Sequence, residues 1–319
     1  MRLIDTRTLE LKEFLNIDLP KYAILSHTWE EEEITFEQFQ GLHDELKHLQ
    51  GFKKIQNACE VARLEKLGYA WCDTCCIDKR SSSELSEAIN SMFKWYRDSE
   101  ICIAYLADVP NLNGVTEDPW LGEEDEPHFA NAEIELLLAS EFAKSRWHTR
   151  GWTLQELIAP RRVRFYSKDW EYLANKEEDI SHALSYITGV PVPILRNAAQ
   201  LMSPIRGPCA ANKMSWAANR ATSRVEDTAY CLLGLFGVNM PLLYGEGSRA
   251  FTRLQEEIIR ISDDHSIFVF EASDERPVLA PSPAAFTHGA RIVRLIGAQY
   301  ASPEPYAMTN KGLRIRLPL

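Results

Sequence analysis

Apolar positions along the first two-thirds of the chain alternate between short continuous runs and helical spacing. Tyr22–Leu25 (YAIL) is an apolar run suited to a buried strand. Residues 52–67 place Ile55, Ala58, Cys59, Ala62 and Leu67 at helical intervals, and Gly68 follows where a C-cap belongs. Tyr69–Cys72 (YAWC) reads as a second strand and Ile101–Leu106 (ICIAYL) as a third. Between them, Ser81 and Glu84 resemble a capping box that opens a helix running to about Tyr96. Residues 110–131, rich in Asp, Glu, Asn, Gly and Pro, read as a long loop, and a helix is expected over 132–142. A further helix is expected from near Trp152 to before Pro160, then a strand over Arg162–Tyr166. This βα alternation predicts an α/β fold with a mostly parallel sheet and helices on both faces.

From 179 onward the pattern is mainly helical, most clearly over Val225–Phe236 and Ser248–Ile261. The second carries Phe251, Leu254, Ile258 and Ile261 on one face. Strand signals return after 265 in IFVF and GLRIRLPL. The expected organisation is an α/β core over 1–170, a helical extension over 171–265 and a strand-rich tail over 266–319. The chain stops on a strand-like run, which reads as the cut end of a longer protein.

Composition narrows the class. Of 319 residues, 45% are hydrophobic and 25% charged, the mix of a globular protein with a real core. A net charge of −11 argues against nucleic-acid binding through a broad basic face. The runs Glu30–Glu33 and Glu123–Glu126 read as solvated loops. No stretch approaches the roughly 20 apolar residues of a membrane span. The N-terminus lacks an apolar signal-peptide core, and seven cysteines leave an odd count. Free thiols and a cytoplasmic location are therefore expected.

Three segments carry candidate chemistry: YAILSHTW (Tyr22–Trp29), WCDTCCIDK (Trp71–Lys79) and RWHTRGWTLQEL (Arg146–Leu157). Together they resemble the signature blocks of the fungal HET (heterokaryon incompatibility) domain. A further block, from MSWAANRATSRVEDTAY to SRAFTRLQEEI, resembles the segment that follows this core in a HET subgroup. The resemblance covers roughly residues 1–270. It implies a cell-death effector in non-self recognition, often fused to nucleotide-binding and repeat sensor modules.

The run SRWHTRGWTLQEL is also similar to the SxWCxxEL motif of TIR domains. That likeness implies a TIR-like (flavodoxin-like) sheet and, as in enzymatic TIR domains, an NAD+ glycohydrolase. NAD would be the substrate, no cofactor would be required, and a homo-oligomer would form on activation. Aligning the motifs puts the catalytic glutamate at Glu156. Hydrolysis of the nicotinamide–ribose bond needs a carboxylate near the ribose and an aromatic face for the pyridinium. Trp152, four residues before Glu156, and Trp29 and Trp147 are aromatic candidates. Ser26 and His27 end a strand at the expected ligand edge of the sheet. Asp73 and Asp78 flank the second strand's exit and are candidate ribose contacts; Arg150, with Arg146 and Arg220, is a candidate pyrophosphate clamp.

Plain readings stand beside each of these. Glu156 also reads as an exposed helical glutamate, Trp152 as core, Ser26 as a turn cap, Asp73 and Asp78 as helix caps and the arginines as salt-bridge partners. Cys72-x-x-Cys75 has no second pair to complete a zinc set, so no metal is expected. YGEGSRA (Tyr244–Ala250) reads as a tight turn rather than a dinucleotide fingerprint, because Pro241 spoils the strand before it. Arg224, Glu226 and Asp227 read as a structural network. Two alternatives to NAD hydrolysis stay open. One is a non-enzymatic oligomerising scaffold, which predicts an exposed Glu156. The other is a cysteine-dependent hydrolase, which predicts a histidine within reach of Cys75 or Cys76.

Overall fold

The computed structural model describes residues 1–319 apart from 16–17, 42, 111–139, 178–179, 204–206, 272–276, 294–306, 311 and 315–319. Seven strands form one mixed sheet: β1 (Arg2–Asp5), β2 (Leu11–Glu13), β3 (Tyr22–His27), β4 (Tyr69–Trp71), β5 (Ile101–Tyr105), β6 (Val163–Tyr166) and β7 (Tyr172–Asn175). Their order is β2-β1-β4-β3-β5-β6-β7. The four central strands β4, β3, β5 and β6 are parallel, as the βα alternation predicts. Antiparallel β1–β2 and β7 close the two edges. All six residues of β3 are buried, so both faces of the sheet are covered at its centre.

Two long helices flank this centre. The Gln50–Leu64 helix packs on β3 and β4. It ends in a Schellman motif: Leu67 N donates to Ala62 O at 2.9 Å and Lys66 N to Arg63 O at 2.9 Å. Lys66 (φ 62°), not Gly68, takes the left-handed position. The Ser82–Asp98 helix opens where expected, with Ser81 accepting from Glu84 N at 3.3 Å. The Glu84 carboxylate does not return to its own cap; it accepts from Asp78 N (2.8 Å) and pairs with Arg2. Trp95 and Tyr96 of this helix meet Trp71 of β4 edge to face, at 5.6 and 6.0 Å between ring centroids.

The chain after 170 departs from the sequence expectation in three places. The run 225–236 breaks into Asp227–Tyr230 and Leu233–Phe236. Gly234 is pressed on Phe93, where a Cβ would lie 2.1 Å from that side chain. The Arg249–Ile261 helix buries Phe251, Leu254 and Ile258, but Ile261 is exposed. IFVF does not form a strand: His265–Phe268 is a 3-10 turn, capped by Asp264 accepting from Ser266 N at 3.0 Å. A local side-chain cap outweighs β propensity there. Strand pairing in the tail is confined, among the described residues, to Ala307–Thr309 with Gly312–Arg314. The loop read at 110–131, the acidic run 123–126 and most of the helix read at 132–142 lie outside the described residues. Among the described residues, no helix is long and apolar enough to cross a membrane.

The acidic run at 30–33 is more than a solvated loop. Glu32 caps the Gln50 amide at 3.0 Å, and Glu33 pairs with buried Lys54. This approach depends on Gly51, where a Cβ would lie 2.0 Å from Glu32 O. Gly51→Ala is therefore expected to destabilise the fold by roughly 1–3 kcal/mol, read as a lower urea midpoint at unchanged m-value.

Candidate active site

The switch point of the parallel sheet lies between β3 and β5, where connections leave in opposite directions, and ligands of open α/β sheets bind outside the carboxyl ends there. Ser26 occupies that end of β3, opposite Ala104 in register, and is fully buried. Its hydroxyl donates to Glu156 Oε2 and its oxygen accepts from Trp147 Nε1 at 2.8 Å. A strand, a 3-10 turn (Arg146–Thr149) and a short helix (Thr153–Ile158) are thus joined through one hydroxyl. The Tyr96 hydroxyl adjoins Glu156 and donates to Leu25 O at 2.9 Å.

Glu156 is 8% exposed, so the plain reading as an exposed helical glutamate is overturned. Burial pushes its carboxyl up to about 7, and the Asp73 charge adds to this. The bond from Ser26 and the nearby His27 and Tyr96 side chains pull the other way. The group is therefore poised near neutrality, a property common to acid–base groups in active sites.

Asp73 and His27 adjoin this pair. His27 Nε2 lies 3.9 Å from Asp73 Oδ1 and 3.4 Å from Glu33 Oε2. Burial and Lys54 would lower the His27 pKa, but Glu33 and Cys72 outweigh them and the net shift is upward. Trp29, half exposed, donates from Nε1 to Asp73 Oδ2 at 3.0 Å, and Lys79 stands 3.7 Å over its ring. Ser26, His27, Trp29, Asp73 and Glu156 thus form one cluster.

The remaining candidates lie around it in other roles. Asp78 forms a two-pronged pair with Arg80 at 2.9 and 3.0 Å. Arg150 donates to Ser223 Oγ at 2.9 Å, and half-buried Trp152 adjoins the Asp227 carboxylate. Arg146 reaches Asp108 and Glu30 at the surface. The arginine turned inward is Arg220. It donates to Arg150 O (2.8 Å), Thr153 Oγ1 (3.0 Å) and Trp216 O (3.1 Å), while its buried Nη2 has no hydrogen-bond partner. Trp147 was legible as an aromatic candidate but not as the donor to Ser26, a contact across 121 positions.

The helical extension braces the glutamate. Ala221 bridges Thr149 and Gly151 by backbone bonds of 2.7 and 2.9 Å. Gly151 has no room for a side chain, since a Cβ would meet Thr222 Cγ2 at 2.5 Å and Cys231 Sγ at 3.2 Å. The turn at 245–247 is confirmed as structural: Gly245 N and Gly247 N donate to Glu226 at 2.7 and 3.0 Å. Asp227 accepts from Tyr244 at 2.9 Å, and Arg224 lies 4.5 Å over the Tyr244 ring.

All seven cysteines are buried and unpaired. A His27 ring nitrogen lies within 4.8 Å of Cys72 Sγ, in a cluster that includes neither Cys75 nor Cys76. Cys76 Sγ accepts from Cys72 N at 3.4 Å. The adjoining Cys75 side chain, with His27 and Thr74, draws the Cys72 thiol below the ordinary range despite burial. A surface cavity of about 480 Å³, lined by Asp5, Arg7, Arg63, Lys66 and Tyr69 among others, opens at the amino end of β4, away from this cluster.

A buried strand-end serine, a buried glutamate hydrogen-bonded to it and a tryptophan closing the group join three segments remote in sequence. Residues 22–156 match the family described as heterokaryon incompatibility protein (HET). The chain belongs to that family. It is also similar to the vegetative incompatibility protein HET-E-1 of Podospora anserina, 38% identical over 265 residues. That match covers 81% of this chain and 17% of the relative, so the chain spans about a sixth of that protein's length. No solved structure matches the chain.

The Glu156 environment has a measurable consequence. Its folded pKa of about 7 stands above the ordinary 4.5, so folding favours the protonated form. That contribution is fully present below pH 4.5 and is lost as pH rises through 7. Measured as the stability difference between wild type and Glu156→Gln, the wild type should lose roughly 3 kcal/mol across this window. A difference that stays flat from pH 4 to pH 8 would place the Glu156 pKa at its ordinary value.

Proposed function

We propose that this chain is the effector domain of a HET-type incompatibility protein and that it triggers cell death by hydrolysing NAD to nicotinamide and ADP-ribose. The observation that carries this reading is a buried carboxylate, raised to about 7, at the carboxyl edge of a doubly wound sheet. The parallel strands run in the order second, first, third, fourth, which is the flavodoxin-like order and supports a TIR-like core.

In this mechanism the bond between ribose C1′ and the pyridinium nitrogen breaks, and its electron pair leaves on neutral nicotinamide. A water oxygen then bonds C1′ and gives up a proton. Ionised Glu156 stabilises the oxocarbenium-like transition state through its negative charge. Ser26, held by Trp147, fixes the carboxylate's orientation. Asp73 would hold a ribose hydroxyl, and Trp29 at the rim would offer its face to the pyridinium. Arg220, the inward guanidinium with a free Nη2, suits the pyrophosphate better than Arg150. At 8% exposure Glu156 is reached only after its cover moves. Homo-oligomerisation on activation, driven by fused nucleotide-binding or repeat sensor modules, would supply that opening.

The non-enzymatic scaffold is the second reading. It gains no support from a glutamate that is buried and hydrogen-bonded rather than displayed.

Glu156→Gln keeps the shape and the bond to Ser26 but removes the charge. Nicotinamide release by the assembled protein is expected to fall by roughly two or more orders of magnitude, with killing in cells lost at equal protein level. Because the carboxylate is buried, the variant should be as stable as wild type or more so at pH 8. Equal toxicity of both proteins without NAD consumption by either would leave the scaffold reading standing.

A further inference from the structure

Four side chains converge where β3 and β4 leave the sheet, and their chemistry is incompletely satisfied. The His27 side chain is 1% exposed, and its Nε2 has hydrogen-bond geometry with no neighbour. A His27 ring nitrogen, Cys72 Sγ and an Asp73 carboxylate oxygen all lie within 4.8 Å of one another. Glu33 Oε2 is 3.4 Å from His27 Nε2. The outer oxygens of both carboxylates are engaged: Glu33 Oε1 by Lys54, and Asp73 Oδ2 by Trp29 and Lys79 at 3.0 and 3.3 Å. One oxygen of each is left turned toward the imidazole.

A buried ring nitrogen without a partner is costly, and the separations indicate what it awaits. Charge-assisted hydrogen bonds run at about 2.7–2.9 Å. Atoms bound to a tetrahedral zinc ion at 2.0–2.3 Å stand about 3.3–3.8 Å from one another. The 3.9 Å from His27 Nε2 to Asp73 Oδ1 is too long for a hydrogen bond and lies just beyond the second range, with Cys72 Sγ within 4.8 Å of both ligand atoms. A nucleophilic thiol fits less well, because Cys72 is 2% exposed and its sulfur is engaged by Thr74 Oγ1 at 3.1 Å.

We propose that His27, Cys72 and Asp73 form a binding site for a divalent transition metal of the zinc class, with Glu33 beside the imidazole. The expected absence of a metal rested on the lack of a second cysteine pair; here the completing ligands are His27 at the end of β3 and Asp73 beside the cysteine. Lys79 and Trp29 hold the outer Asp73 oxygen, as outer partners of metal ligands commonly do. The Lys54 and Lys79 ammonium groups oppose any cation. They select for a metal bound strongly by thiolate and imidazole, so zinc is favoured over magnesium or calcium. Three protein ligands leave a fourth position for water or another small ligand. Such a clasp would tie the end of β3 to the β4 exit behind the Ser26–Glu156 pair. The inference needs only the fold; with metal bound, Asp73 serves the metal rather than the ribose hydroxyl assigned to it above.

The test uses the whole chain, chelator-treated and kept reduced. Titration with Co²⁺ should give one equivalent with thiolate-to-cobalt charge-transfer absorption, displaced by Zn²⁺, and Zn²⁺ should raise the melting temperature. Cys72→Ser should abolish the charge-transfer band. Asp73→Asn alters a partly exposed side chain and should keep the fold, while weakening Zn²⁺ affinity at least about tenfold. No charge-transfer band in the folded wild type overturns the proposal, as does a band unchanged in Cys72→Ser. If circular dichroism finds Cys72→Ser unfolded, an unchanged Zn²⁺ affinity in Asp73→Asn overturns it equally.

Discussion

The hydrogen bond from Ser26 to Glu156 joins two segments 130 positions apart, and the local architecture is organised around making it possible. A carboxylate in the interior is expensive unless it is bonded or neutral, and this one is both bonded and shifted toward neutrality. Ser26 can serve it only because Trp147 fills the hydroxyl's acceptor side. Trp147 is in turn set by Ser145, which accepts from its amide at 3.3 Å and is itself tied to Asp108 at 2.7 Å. The short helix that carries Glu156 has one turn and a half, too little to be stable alone. Its position comes from packing on β3 and from the backbone bridge to Ala221.

That bridge gives the helical extension a role beyond added bulk. Arg220 spans from the extension to the Arg150 carbonyl and the Thr153 hydroxyl, one turn before Glu156. Gly151 permits this contact by leaving space for Thr222. Core and extension are therefore coupled through the very segment that holds the candidate catalytic group. A change in how the extension packs would be felt first at the glutamate.

Charge is arranged in two concentric zones. Lys79, Arg80 and Arg146 meet the acidic side chains of the rim. Inside them, His27, Cys72, Glu156 and Arg220 sit in surroundings where burial moves every titrating group or is opposed by a specific neighbour. The chain's net charge of −11 says nothing about this interior. Inside, desolvation and a handful of close partners decide the protonation states.

The sequence by itself determined the elements whose signals are local. The apolar runs at 22–25, 69–72 and 101–106 and the βα alternation sufficed for the parallel centre, and Ser81 marked a helix start. The family blocks were legible because they are long, and they pointed to Ser26, Asp73 and Glu156 together. Tertiary structure alone decided the rest, because the deciding contacts are remote in sequence. Periodicity carries no information on whether Glu156 meets Ser26, whether Trp152 turns to Asp227, or whether Arg220 rather than Arg150 faces inward. The 225–236 run looked like one helix because propensity does not register Phe93 pressing on Gly234. Lys66 took the left-handed position usually left to glycine because the helix had to end before Leu67 could enter the core. Local patterns set which segments form; burial and long-range hydrogen bonds set which side chains meet.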